Sequence, residues 1–373
     1  DTNGFFDEIN HPERRTAIEA VAAFYGELLH DKLLEIDPSK FGSASWTVNF
    51  THPSTGDTTY VSNPVIPEDT IVIYVGARDL GGSTVGRAGF GGWSAGGFPD
   101  WFTRIRGRGN PGAEPSTSSL RTDHAPWGGT ASFDIDTSWN FSLTTNDPGQ
   151  EFVTVALHEI GHVLGLGTAN SWDNLISSSL FFGTAAIRSW GVAPPVEPDA
   201  AHFSDDFTFT SPSYGSFGSA HGASRDALML PSTTDNGSTF LTITDVDLAA
   251  LADIGWEVQP PPAIEAPAIS PAGVSLGWPS SSLADYRIER ADAGLDFEPV
   301  HATAGSGSTQ SWTDTEPPIG QAFYRLSITP LPSSASSATS PSQALSVAPT
   351  DPAPGVLYRT SEPGREVTGC SGH

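Results

Sequence analysis

Residues 158–162 read His-Glu-Ile-Gly-His inside an otherwise apolar run that includes Phe152, Val155, Ala156, Ile160, Val163 and Leu164. That spacing predicts a helix from Glu151 to Leu164, stopped by Gly165 and Gly167. On a helix, positions i and i+4 share a face, so His158 and His162 can aim a ring nitrogen at one ion. Imidazoles among apolar neighbours are costly to bury without partners, which argues against two plain surface histidines. Neutral imidazole is a good zinc ligand. Glu159, one residue on, is near enough to hold a water without being a ligand. A catalytic zinc takes three protein ligands and keeps one position open, so the fold must bring a further donor to this helix.

Composition narrows the partners. The 373 residues carry 43 acids against 17 bases, a net charge of −26. A phosphate backbone would be repelled by this chain, so nucleic acid is excluded as a partner, and an anionic membrane surface is disfavoured. No apolar run reaches the 18 residues of a membrane span. Cys370 is the one cysteine, so neither an intrachain disulfide nor a multi-cysteine metal site can form. The chain starts at Asp1, which fits processing or trimming alike. An acid-rich, lysine-poor surface stays soluble in salt and suits hard cations, and we expect a secreted, extracellular protein.

Three shifts of composition divide the chain. Residues 1–258 form a first segment, 259–263 a Pro-rich linker, 264–350 a second segment and 351–373 a polar tail. In the first segment, Pro12 to about His30 reads as an amphipathic helix and Thr47–Phe50, Thr70–Val75 and Thr130–Asp136 as strands. Residues 76–97 look too glycine-rich to be regular throughout, and 171–243 look loop-rich. Thr244 caps a last helix ending near Ile254. In the second segment Val274–Trp278, Tyr286–Arg290, Phe323–Ile328 and Ala344–Val347 alternate between Pro, Ser and Gly turns, as in a small β-sandwich.

The run His158-Glu159-Ile160-Gly161-His162-Val163-Leu164-Gly165 resembles the metzincin metalloproteases, whose motif continues to a third His. Thr168 stands at that last position. The pattern is similar to leishmanolysin-like members, which place an insertion before the third His. His202, beside Phe203, is favoured as that ligand over His221, with Asp199 or Asp205 behind them. Met229, the single Met, follows both and resembles the family's Met-turn. The helices near Ala17–Leu29 and Thr244–Leu251 resemble those of matrixins. The implied fold is an α+β metzincin-like domain, a twisted mixed sheet plus an active-site helix, over 1–258. The second segment resembles an all-β fibronectin type III sandwich, a module type that serves as a spacer or contacts matrix or polysaccharide.

The resemblance implies catalytic Zn²⁺ on His158, His162 and His202, with Glu159 as general base toward a zinc-activated water and peptide bonds as substrate. It implies a substrate strand antiparallel to a sheet edge, for which Thr130–Phe133 is the expected strand. Phe133-Asp134-Ile135-Asp136 resembles a matrixin calcium stretch, making Asp134, Asp136 and Asp123 candidate structural Ca²⁺ ligands. Cys370 is a weak candidate for an inhibitory thiolate. The competing expectation is a non-catalytic matrix- or surface-binding protein with a decayed metal site.

Overall fold

The computed structural model describes residues 2–110, 122–143, 147–205, 213–214, 226–232, 242–260, 264, 267–292, 296–318, 322–331, 358–362 and 364–368. In the first segment the chain order is α1 (Pro12–Leu28), β1 (Ser45–Thr51), β2 (Thr58–Ser62), β3 (Val72–Arg78), β4 (Gly86–Phe90), β5 (Gly92–Gly97), α2 (Pro99–Gly107), β6 (Gly128–Asp134) and α3 (Phe152–Val163). Two short helices, α4 (Asn170–Asp173) and α5 (Thr184–Trp190), precede α6 (Asp245–Asp253). This is the mixed α/β architecture that the sequence predicts.

Every residue of α3 is buried. Its β-branched Val153, Thr154, Val155, Ile160 and Val163 give it modest helix propensity, so packing rather than propensity holds it. Tyr25 of α1 donates its hydroxyl to Leu157 O at 2.8 Å, fixing α1 along α3. On its other side α3 lies against β4 and β6.

The sheet corrects two expectations. β6 pairs in parallel with β3 and antiparallel with β4, so it is an interior strand, and all seven of its residues are buried. Thr130–Phe133 is therefore not an edge that a peptide could join. The glycine-rich stretch is more regular than its composition suggests: it forms β4 and β5, broken at Gly91, with β5 pairing antiparallel to β1. The outer neighbours of β4 and β5 come from the polar tail. β13 (Tyr358–Glu362) pairs with β5 and β14 (Arg365–Thr368) with β4, both antiparallel.

The second segment contributes β7 (Ala268–Ser270), β8 (Gly273–Trp278), β9 (Ala284–Ala291), β10 (Glu298–Ala304), β11 (Gln310–Asp314) and β12 (Phe323–Pro330). They form two three-stranded antiparallel sheets, β7-β8-β11 and β10-β9-β12. Leu276 and Trp278 of one sheet and Tyr286 and Ile288 of the other share one buried cluster. Asp245, at the start of α6, accepts hydrogen bonds from the hydroxyls of Ser282 (2.9 Å) and Ser189 (2.6 Å) where the segments meet. The expected strand Ala344–Val347 lies outside the described residues.

Candidate metal centre

His158, Glu159 and His162 are all fully buried on α3. His158 Nδ1 lies 2.8 Å from Leu228 O, and His162 Nδ1 lies 2.8 Å from Leu166 O. A carbonyl oxygen only accepts, so each Nδ1 carries the ring proton and each Nε2 presents a lone pair. The two Nε2 atoms are 2.9 Å apart. Burial first, then the neighbouring imidazoles, pushes His158 down to about 3 and His162 well below its ordinary value. Both rings are therefore neutral near pH 7, with lone pairs available to a metal.

His202 completes the group. Its Nδ1 donates to Asp199 Oδ2 at 2.6 Å, and its buried Nε2 has no hydrogen-bond partner. Burial opposes ionisation of Asp199, but its hydrogen bonds, first the one from His202 and then those from the backbone N–H groups of Ala201 and His202, outweigh it and hold the carboxyl below the usual range. One donor atom from each of the three histidines lies within 4.8 Å of the others. Three imidazole lone pairs converging in a buried site repel one another unless a cation sits between them. The donor set fits zinc.

The local sequence explains how a residue so distant reaches α3. Gly165 (φ 103°) and Gly167 (φ 70°) adopt the left-handed region and turn the chain out of the helix. A Cβ on Gly167 would lie 2.0 Å from Ala201 O, so only glycine admits the loop that carries His202. Residues 169–201 form the insertion, more regular than expected: α4, a small hairpin (Ile176–Ser177 with Leu180–Phe181) and α5. Trp172 Nε1 donates to Ala200 O at 2.8 Å and pins the insertion beside His202. Thr168 is not directed at the site; its hydroxyl donates to His162 O at 2.6 Å.

Met229 is fully buried in a turn beneath α3. Its sulfur lies 3.0 Å from where a Cβ on Gly161 would stand. Met229 O accepts from Phe203 N at 2.8 Å, tying the turn to the His202 loop. Sequence reasoning misses Asp247. Its buried carboxylate accepts from Leu228 N (2.9 Å), Met229 N (3.2 Å), Thr244 N (2.9 Å) and Thr244 Oγ1 (2.6 Å). It caps α6 and holds the turn whose Leu228 O orients His158. An Asp three residues after Thr244 signals a local cap, but no pattern shows the longer reach.

The candidate calcium residues are not brought together. Asp134 turns inward, accepting from Leu80 N (3.0 Å) and Thr137 Oγ1 (2.7 Å), while Asp136 is exposed. Asp123 lies against Gly255, and burial, reinforced by Asp31, raises its carboxyl to about 7. Among the described residues, the three histidines are the sole group of three or more His, Cys, Asp or Glu donors converging on one point. His221 and Cys370 lie outside the described residues.

The structure thus brings together three buried histidines, two on the His-Glu-x-x-His helix and one from the loop after α5, above the Met229 turn. The matrixin family model matches residues 108–183, from the end of α2 through α3 into the insertion. Matrix metalloproteinase-2 of Drosophila melanogaster is 55% identical over 40 residues, which cover 10% of this chain and 5% of that protein. No solved structure gives a significant match. Together the two matches support a metzincin-type protease. No helix among the described residues is long and apolar enough to cross a membrane.

Proposed function

We propose that this chain is a secreted zinc-dependent endopeptidase. The observation that carries the reading is the convergence of one ring nitrogen from each of three histidines, whose Nδ1 atoms each meet an oxygen acceptor. His158, His162 and His202 would hold the metal. Zinc, when bound, supplies Lewis acidity, acidifying a water and polarising a peptide carbonyl.

The remaining chemistry belongs to Glu159. Its carboxylate sits between the two helix histidines in sequence and is fully buried against β4. A Cβ on Gly86 would fall 2.2 Å from Glu159 Oε1, so glycine at this point of β4 leaves room for the carboxylate. Glu159 accepts the proton of the attacking water and passes it to the leaving amine, with no covalent enzyme intermediate. The edge of β4 passes beside this carboxylate, and an extended peptide pairing there would lie across it.

We further read the two β-sheets of 267–331 as a fibronectin type III-like module that spaces the protease or contacts matrix or polysaccharide. The competing reading, a decayed and purely adhesive site, requires the third donor to be missing; the closeness of His202 to His158 and His162 favours the catalytic reading over it. The test is hydrolysis of casein and of an internally quenched peptide before and after chelation. Activity is expected to vanish with the chelator and return with about one zinc per chain. Undiminished hydrolysis by the metal-free chain would remove the proposal.

A further inference from the structure

The edge beside Glu159 is already taken by the chain itself. β14 runs antiparallel along β4, with Arg365 opposite Phe90 and Thr368 opposite Arg87, one residue short of Gly86. β13 continues the pairing along β5, from Glu362 opposite Trp93 to Tyr358 opposite Gly97. The two tail strands therefore cover the backbone groups that an added strand would use.

The fit is close. A Cβ on Gly89 would stand 1.8 Å from Arg365 O, so β4 has no side chain where the tail backbone lies. Gly364 passes the break at Gly91, and a Cβ there would stand 2.4 Å from Gly92 N and 2.7 Å from Gly91 C. Tail and edge thus approach backbone to backbone at two glycines, one on each partner. Side chains fix the register. Arg365 Nη1 donates to Thr168 O at 3.2 Å and to the Asp173 carboxylate, bridging the chain just beyond His162 to the start of the insertion. Glu366 Oε1 lies 3.8 Å from Arg78 Nη2 of β3.

From this geometry we propose that the tail strands β13 and β14 are an internal occupant of the peptide-binding edge, excluding extended peptides until the tail leaves. The inference rests on the peptidase reading for its consequence but not for its geometry. A peptide strand and the tail need the same N–H and C=O groups of β4, so they bind exclusively. The tail belongs to the same chain, so it competes intramolecularly, at an effective concentration that does not depend on the amount of protein. If the open form is about 1–10% of molecules, apparent peptide affinity falls by roughly 10- to 100-fold. Short substrates that do not reach along β4 escape this exclusion.

The test compares three zinc-loaded 373-residue chains: the unsubstituted sequence, Gly364→Val and Arg365→Ala. Neither substitution touches a proposed zinc ligand or Glu159. Three readouts apply: kcat/KM on an internally quenched octapeptide, hydrogen exchange of the β4 amides, and binding of a labelled peptide with the sequence 358–368. We expect Gly364→Val to raise kcat/KM at least about 10-fold, speed exchange along β4 and bind the labelled peptide, with Arg365→Ala changing in the same direction. Equal rates, unchanged exchange and no labelled-peptide binding in both variants would overturn the proposal. If no zinc-loaded chain hydrolyses any peptide, the peptidase reading falls. Exchange and labelled-peptide binding then still decide whether the tail is a displaceable occupant.

Discussion

The three imidazoles of the candidate metal centre are positioned in two ways. His158 and His162 sit one turn apart on α3, and each gives its Nδ1 proton to a main-chain carbonyl. His202 comes from a loop beyond an insertion and gives its proton to a side chain, Asp199. The helix pair is thus set by backbone that no substitution removes. The third donor depends on one carboxylate that is half exposed at its side chain. A site built this way should lose its third arm first, because Asp199 meets His202 directly, whereas Asp247 supports His158 only through the backbone of the Leu228 turn.

Removing arms tests the asymmetry with the largest effect. Zinc sites of three or four donors are worth roughly 10–16 kcal/mol, so one donor carries about 4 kcal/mol, on the order of a thousandfold in affinity. His202→Ala should lose zinc by that much in a chelator-competition titration, while His221→Ala should keep it. The reverse pattern would move the third arm to His221.

Loosening an arm gives a smaller change. Deleting a partner that orients a ligand typically costs 10- to 100-fold in metal affinity, and Asp199→Ala should fall in about that range. Asp199→Asn, which keeps an acceptor oxygen toward His202 Nδ1, should lose less. An affinity unchanged in both would show that the loop backbone alone holds His202.

Acid should address the helix pair. The folded-state values of His158 and His162 lie below the unfolded value near 6.5. The unfolded chain therefore binds more protons as pH falls below that value. Stability from the neutral rings is fully present above about pH 6.5 and is lost as pH falls toward about 3. Asp31 and Asp253, raised to about 6, and Asp123 and Glu151, raised to about 7, act in the opposite sense, losing stability as pH rises through those values. Comparing metal-free natural protein with the His158→Gln/His162→Gln double variant isolates the imidazole part. The melting temperature of the natural chain should fall more steeply between pH 6.5 and 4. Parallel curves would deny the buried, neutral pair.

Legibility in the sequence followed the range of each interaction. The α3 pair is a local, periodic signal, and the helix and its stop at Gly165 are read from a few neighbouring residues, whereas the Met229 turn comes from the family resemblance and from Met229 being the single Met. Elimination among few histidines leaves His202 and His221, and only the family resemblance favours His202, because a long stretch of chain separates both from α3. Thr130–Phe133 misleads because strand pattern carries no information about sheet position: an interior strand next to a helix looks like any apolar strand. Asp134 and Asp136 look like a cation site in sequence, but the first turns inward to close its own loop. The tail's place on β4 and β5 is the longest-range feature. A polar, glycine-containing segment gives no local sign that it will pair with strands more than 250 residues earlier.

The central claim is that α3 carries both a metal pair and a proton carrier. Glu159→Gln tests it most directly, because the amide keeps the shape of the side chain and loses its basicity. With zinc content and peptide hydrolysis measured on the same sample, the account predicts about one zinc per chain and a rate reduced by a factor on the order of 10²–10⁴. Full zinc with an undiminished rate would contradict it.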